Sequence, residues 1–256
     1  MSHAAPAVGY QYEGAELDLF EKAVNWKAYW SGRIARYLRG SVLEVGAGIG
    51  ANTALFTAHA FDTWTCLEPD AALAARIALP GGGRHHSRIG TTVSLDPTDL
   101  YDAILYIDVL EHIEADAAEL SRASLHLRPG GHLIVLSPAW PFLFSPFDAA
   151  IGHYRRYTRA SLRAAARSTT PGANRFPHPT TTRPAPLLER EMIYLDSAGM
   201  LASAANRLLL RSAMPTLDQI LLWDRRLVPL SRRIDRLFGE HLGKTIIGVW
   251  EMPSAR

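Results

Sequence analysis

The sequence predicts an α/β fold built on an open, mostly parallel sheet with helices on both faces, and three observations lead to it. The first is a strand, a tight turn and a helix in succession: Val42-Leu43-Glu44-Val45 runs into Gly46-Ala47-Gly48-Ile49-Gly50, and residues 51–60 read as a helix. Glycine at every second position marks a backbone that takes up conformations side chains forbid and lets a ligand approach the main chain. The second is the alternation of strand-length apolar runs, at 62–68, 101–107 and 132–137, with helix-length segments, as in a parallel sheet covered on both sides. The third is the polar cluster Asp108-Val109-Leu110-Glu111-His112-Ile113 at the carboxyl end of a strand, the edge where open sheets hold ligands.

Composition is consistent with one domain over residues 1–256. With 48% hydrophobic residues the chain has ample material for a sizeable core. A single cysteine, Cys66, forms no internal disulfide, and the N-terminus has no basic region followed by an apolar core, so the expected setting is cytoplasmic. No apolar run approaches the roughly 18 residues that span a bilayer, which limits any membrane role to peripheral contact. Charge is unevenly divided. Residues 1–150 hold 10 Lys+Arg against 17 Asp+Glu, whereas residues 151–256 hold 17 against 8, and nearly all of the latter cations are arginine. A basic half of this kind either steers an anionic partner or is a solvated surface.

In chain order, residues 1–14 read as a loose arm in which Tyr10 and Tyr12 pack on the surface or fold over a pocket. From Ala15 to Leu38 the apolar residues recur at three- and four-residue steps, a helix ended by Arg39-Gly40, so that 1–40 is an N-terminal arm and helix. After the glycine turn, the strand 62–68 ends in Glu68, 18 residues beyond Gly50. A Rossmann-type site places a ribose-binding acid about 20 residues on. Residues 71–78 read as a helix broken by Pro80-Gly81-Gly82-Gly83, and a helix through Leu125 leads to the turn Arg128-Pro129-Gly130-Gly131. Residues 138–165 form a substrate loop region, with Asp148 and the cluster Gly152-His153-Tyr154-Arg155-Arg156-Tyr157 feeding a helix at 161–166. Five prolines among threonines make 168–188 an exposed loop, either a lid or a neutral insertion. Residues 191–196 and 245–250 supply strands. Between them 200–240 is a helical segment with a break at Pro229, its last part amphipathic with an arginine face turned to water or, alternatively, to a membrane surface.

Gly46-Ala47-Gly48-Ile49-Gly50-Ala51 fits the dinucleotide pattern G-x-G-x-x-G/A by letter, but Glu44 lies where it would repel a pyrophosphate and favours a ligand with a cationic amino acid end. Together with Glu68, Asp108 to Ile113 and Leu127-Arg128-Pro129-Gly130-Gly131, the glycine turn resembles the class I S-adenosylmethionine-dependent methyltransferases, over about residues 25–165. The segment Asp148 to Tyr157 is similar to one in a bacterial subgroup that acts on small molecules. The resemblance implies a Rossmann-like seven-stranded sheet of order 3-2-1-4-5-7-6 whose last strand runs antiparallel, with S-adenosylmethionine as cofactor. Gly46, Gly48 and Gly50 would lie under its methionine part with Glu44 near the amino group, Glu68 would hold the ribose hydroxyls, Gly90-Thr91-Thr92 would edge the adenine, and Asp108 would sit near the sulfonium.

The acceptor implied is a small molecule or a carrier-linked intermediate, methylated at oxygen in preference to nitrogen or carbon. A hydroxyl nucleophile needs a base, for which the candidates in order are His153, His112 and Asp148; Tyr154 and Tyr157 would shape the pocket, and Arg155 or Arg156 would fix an anionic group. Asp108, Glu111 and His112 form a D-x-x-E-H set that resembles the metal-assisting residues of ubiquinone-pathway O-methyltransferases, yet Glu111 and His112 are read as bracing a helix start, and no metal is assigned. Two other readings stand beside this one: a non-catalytic methyltransferase-like binding module, and an NAD-dependent oxidoreductase. Nucleic acid is disfavoured as an acceptor, because the chain has no asparagine-proline-type tetrad. The oligomeric state is not legible.

Overall fold

Near-continuous apolar runs can stand in a strand only if both faces of the sheet are covered, and the computed structural model shows this arrangement over residues 15–56, 61–79, 82–167, 186–209, 215–237 and 239–254. Seven strands, β1 (Ser41–Val45), β2 (Thr63–Glu68), β3 (His85–Ile89), β4 (Tyr101–Ile107), β5 (Leu127–Pro138), β6 (Leu188–Leu195) and β7 (Thr245–Glu251), form one sheet in the order 3-2-1-4-5-7-6. β1 to β5 pair in parallel, and β7 slots antiparallel between β5 and β6, with Ile134 opposite Val249 and Ile193 opposite Ile247. Successive residues go to opposite cores. Val42, Ala103, Leu105 and Ile134 pack on one face, and Leu43, Ile104, Tyr106 and Leu133 on the other, all fully buried. At about 1.5–3 kcal/mol per buried aliphatic side chain, this alternation is the main favourable term holding the sheet.

The helices are α1 (Ala15–Phe20), α2 (Val24–Ile34), α3 (Ala71–Ala74), α4 (Asp116–Leu125), α5 (Pro146–Ala150), α6 (Arg159–Arg167), α7 (Ser197–Leu209), α8 (Leu217–Leu222) and α9 (Val228–Leu237). Several depart from expectation. The helix predicted over 15–38 is two helices, and after the glycine turn the described residues hold only a 3₁₀ turn at Thr53–Phe56 where a helix was expected. The helix predicted over 71–78 is a single turn capped by Asp70, whose carboxylate accepts from the Ala72 and Leu73 amides. Arg128-Pro129-Gly130-Gly131 is a bulge inside β5 rather than a turn before it: Tyr101 pairs with Leu127, but Ala103 pairs with His132. Pro229 does not break the helical segment. The chain widens to a π turn over Trp223–Leu227, just ahead of the proline, which relieves its clash with the preceding turn. β3 carries His85, His86 and Arg88 rather than an apolar run, which an edge strand tolerates. Tyr10, Tyr12 and residues 168–185 of the expected loop lie outside the described residues.

Two buried aspartates, Asp224 and Asp235, fasten α2 to the C-terminal helices, and a third, Asp196, ties the C-terminal helices to one another. Asp224 accepts from the amides of Trp26 (2.8 Å) and Asn25 (3.2 Å), taking up free N–H groups at the start of α2. Asp235 accepts from the Tyr29 hydroxyl (2.9 Å) and from the amides of Asp196 and Ser197, and Asp196 accepts from Ser231, Trp223 and Gly199. α2, α7, α8 and α9 thereby become one roof over the carboxyl edge of the sheet. Asp224→Ala leaves those amide donors buried and unmet, and it is expected to lower stability by about 1–3 kcal/mol, read as a shifted denaturant midpoint with an unchanged m-value.

Candidate active site

Two adjoining cavities lie along the carboxyl edge of the sheet. The first, of about 560 Å³, lies over the ends of β1, β2 and β4 and is lined by Gly46, Gly48, Glu68, Thr91 and Asp108. Gly46, Gly48 and Gly50 all have left-handed backbones, with φ of +67°, +56° and +75°. A Cβ on Gly46 would lie 2.7 Å from Val109 Cγ2, and one on Gly50 2.8 Å from Ile77 Cγ2, whereas one on Gly48 would meet only Leu17, at 3.6 Å. Gly46 and Gly50 therefore let the turn pack, and Gly48 keeps the cavity floor bare.

At the end of β2, Glu68 accepts from the Gly48 amide at 2.7 Å and the Asp70 amide at 2.9 Å. It is 4% exposed, and burial raises its pKa. Two carboxylate oxygens offer about four acceptor positions, so two remain for a ligand diol. Lys27, which the sequence reading passed over, reaches this cavity from α2 with its Nζ 3.5 Å from the Ala51 carbonyl; burial lowers its pKa. A lysine beside the buried Trp26, on the tryptophan-bearing side of the helix, was the available signal, and a buried ammonium here suits a ligand carboxylate. Glu44 was expected beside the ligand. Its carboxylate instead lies under the turn, 1% exposed, and accepts from Thr53 (2.7 Å) and Trp64 (3.0 Å); burial raises its pKa. A bare glycine floor, a diol acceptor at the β2 end and a cation at the far wall fit an amino-acid-bearing nucleoside.

The second cavity, of about 500 Å³, lies beneath the roof of helices, and Asp108 and His112 line both cavities. Asp108 has φ +53°, a conformation uncommon for a residue with a side chain, and burial pushes its carboxyl up to about 6 against the pull of His153, Lys244 and Arg156. Burial and the neighbouring His153 hold the His112 imidazole down to about 4, so it is neutral at physiological pH. His153 Nδ1 lies 2.9 Å from Asp148 Oδ1, which fixes the tautomer with Nδ1–H donating and leaves Nε2 as an acceptor facing the cavity. That nitrogen is 3.8 Å from Glu111 Oε1. Glu111 is fully buried; Ser137 donates to its Oε2, and its Oε1 has no hydrogen-bond partner. Burial and then the Asp108 charge push the Glu111 carboxyl well above the usual range, which favours its neutral form.

Asp148 was ranked as a third base, and the geometry gives it another task. Five donors converge on it: His153 and the Arg156 Nε on Oδ1, and the Ser145 amide, the Ser145 hydroxyl and the Arg156 Nη2 on Oδ2. Burial opposes its charge, but the His153 and Arg156 hydrogen bonds outweigh it and hold the carboxyl well below the usual range. A carboxylate so engaged orients a histidine rather than taking a proton. Arg156, expected to meet substrate, spends its fork on Asp148. Tyr157 is buried with its hydroxyl on Asp116 (2.8 Å), and Tyr154 is 55% exposed under Arg155; neither lines a cavity. The sequence placed His153 and His112 near each other, and their rings meet edge to face at 4.5 Å. Ligand atoms of Glu111, His112 and His153 all lie within 4.8 Å of one another, a spacing that also permits a metal ion.

Residues 21–169 match the model of a methyltransferase-domain family. No curated protein matches the chain. Among solved structures, the chain is similar to one from the complex between the Haloferax volcanii Trm112 methyltransferase activator and a methyltransferase (14% identity, TM-score 0.60, covering 95% of this chain and 97% of that one). It is also similar to the N-methyltransferase NodS from Bradyrhizobium japonicum WM9 (13%, 0.53, 93% and 99%). A third is geranyl diphosphate C-methyltransferase from Streptomyces coelicolor A3(2), in complex with Mg2+, geranyl diphosphate and S-adenosyl-L-homocysteine (12%, 0.56, 97% and 89%). Identities this low establish a shared fold alone. Glu68→Gln keeps the shape of the side chain but weakens its acceptors. We expect calorimetry to show about 10- to 100-fold weaker S-adenosylmethionine binding, the equivalent of one or two charged hydrogen bonds.

Proposed function

The chain belongs to the methyltransferase-domain family, and from that premise we propose that it methylates a hydroxyl oxygen of a small-molecule or carrier-linked acceptor seated between Glu111 and His153. It is a class I S-adenosylmethionine-dependent methyltransferase. The observation that carries the proposal is the unpartnered Glu111 Oε1, fully buried and 3.8 Å from His153 Nε2, both residues lining the second cavity. A buried polar atom without a partner costs free energy, and a hydroxyl placed between the two groups removes that cost by accepting from the neutral Glu111 carboxyl and donating to Nε2.

Bound S-adenosylmethionine supplies a methyl group activated by a cationic sulfonium. Glycines 46 and 48 would cradle the amino acid part, Lys27 would pair with its carboxylate, and Glu68 would accept from the ribose hydroxyls, with Thr91 at the adenine edge. Asp108, at the junction, favours positive charge there. Transfer is in line, so the acceptor oxygen must be held about 3 Å from the methyl carbon. As the oxygen–carbon bond forms and the carbon–sulfur bond breaks, the hydroxyl proton passes to His153 Nε2, and the resulting imidazolium is stabilised by Asp148. Arg156 and Ser145 hold Asp148 in place, so the pair is set before substrate arrives.

A second reading is favoured by the spacing of Glu111, His112 and His153, which could hold a divalent cation that binds the acceptor oxygen directly. Chelation separates the two. Under the first, turnover survives EDTA, and His153→Ala lowers it about 10²- to 10⁴-fold while S-adenosylmethionine affinity is kept. The readout is the acceptor's gain of one methyl by mass spectrometry. Turnover lost on chelation and regained with Mg2+ or Zn2+ would select the metal reading, and a silent His153→Ala would sink both. Binding of S-adenosylmethionine without turnover on any cell extract would favour a binding module.

A further inference from the structure

The cavity assigned to the acceptor has mostly apolar walls, formed by Phe20, Trp26, Leu143, Phe147, Ile220 and Trp223, and it also holds four basic side chains. Three of these have settled partners or roles: Arg156 is spent on Asp148, His153 is bonded to Asp148, and His112 is held neutral. Lys244 is different. Its ammonium lies 3.4 Å from Asp196 Oδ2, longer than the 2.6–2.9 Å bonds on neighbouring charged groups, and 3.7 Å from the centroid of the Trp223 ring. Asp196 already receives Trp223 Nε1 at 2.7 Å, the Ser231 hydroxyl at 2.6 Å and the Gly199 amide at 3.0 Å. The lysine is therefore drawn toward the ring and the cavity, with N–H donors not taken up by Asp196.

Resting on the reading of this cavity as the acceptor site, we propose that Lys244 determines acceptor specificity by binding a single carboxylate on an otherwise apolar acceptor. The walls set the apolar body. They would strip water from any charge carried into the cavity, which is tolerable only beside a counter-ion. The ammonium already faces Asp196 at 3.4 Å and feels Asp108, so its remaining donors suit the smallest added charge: a phosphate monoester would bring up to two negative charges beside these acids, a carboxylate one. The ring of Trp223 holds the ammonium in place from one side and leaves its remaining donors directed away from the ring.

The test uses two probes with the same naphthol body, 6-hydroxy-2-naphthoate and 2-naphthol, which differ by one carboxylate, titrated by calorimetry into the full-length protein saturated with S-adenosylhomocysteine. The expected result is at least a tenfold preference for the naphthoate in the wild type. Lys244→Met should abolish the preference, Lys244→Arg should retain much of it, and cofactor affinity should be unchanged in both. If Lys244→Met fails to fold because Asp196 loses its counter-ion, Lys244→Met/Asp196→Asn makes the same comparison with no stranded charge. Equal affinity for the two probes in the wild type, binding of neither, or a preference that survives removal of the lysine would overturn the proposal. Failure of the methyl-transfer reading looks different: the carboxylate preference persists, while neither probe nor any cell metabolite gains a methyl group.

Discussion

Everything at the working edge of this protein depends on how closely two turns approach each other. Gly46 ends β1 and Val109 follows β4, and there is room between them for a hydrogen but not for a methyl group. That approach sets the floor of the first cavity against the segment that carries Asp108, Glu111 and His112. The left-handed backbone of Asp108 belongs to the same constraint, because it turns the chain out of the sheet sharply enough for Asp108 and His112 to face both cavities. A looser junction would separate the methyl donor from its acceptor, and transfer at carbon tolerates little separation.

The second cavity exists because buried carboxylates hold elements that are far apart in sequence. Asp224, Asp235 and Asp196 fix α2, α7 and α9 to one another, and Asp148 fixes the loop that bears His153. Each is satisfied by several donors, which is the condition for a buried charge to be stable. Glu111 is the contrast. It is buried and pushed toward its neutral form, and one of its oxygens has no partner; a group of that kind gains most from a bound ligand.

The fold alone does not choose the acceptor. The similar structures include an N-methyltransferase and a C-methyltransferase. In this chain the roof helices and the segment after β5 place His153, Trp223 and Lys244 at the second cavity, the acceptor site in the proposed reading. Among the described residues, no helix is long and apolar enough to cross a membrane.

The sequence by itself determined the sheet and pointed to the residues that line the first cavity, because both rest on local patterns. Strand alternation, glycines at 46, 48 and 50, and an acid at the end of β2 are each legible within one strand–turn unit, and the order of the units carries the topology. It also singled out His153 and His112, whose rings meet at the second cavity. Tertiary structure alone decided what each polar residue does, since that depends on partners up to 207 positions away. Only the fold shows Glu44 turned beneath the glycine turn, Asp148 committed to orienting His153, Arg156 spent on Asp148, and Lys27 and Lys244 facing the cavities. Charge in a folded chain is governed by burial and by whichever donors come within about 3 Å, and neither is encoded in the spacing of residues along the chain.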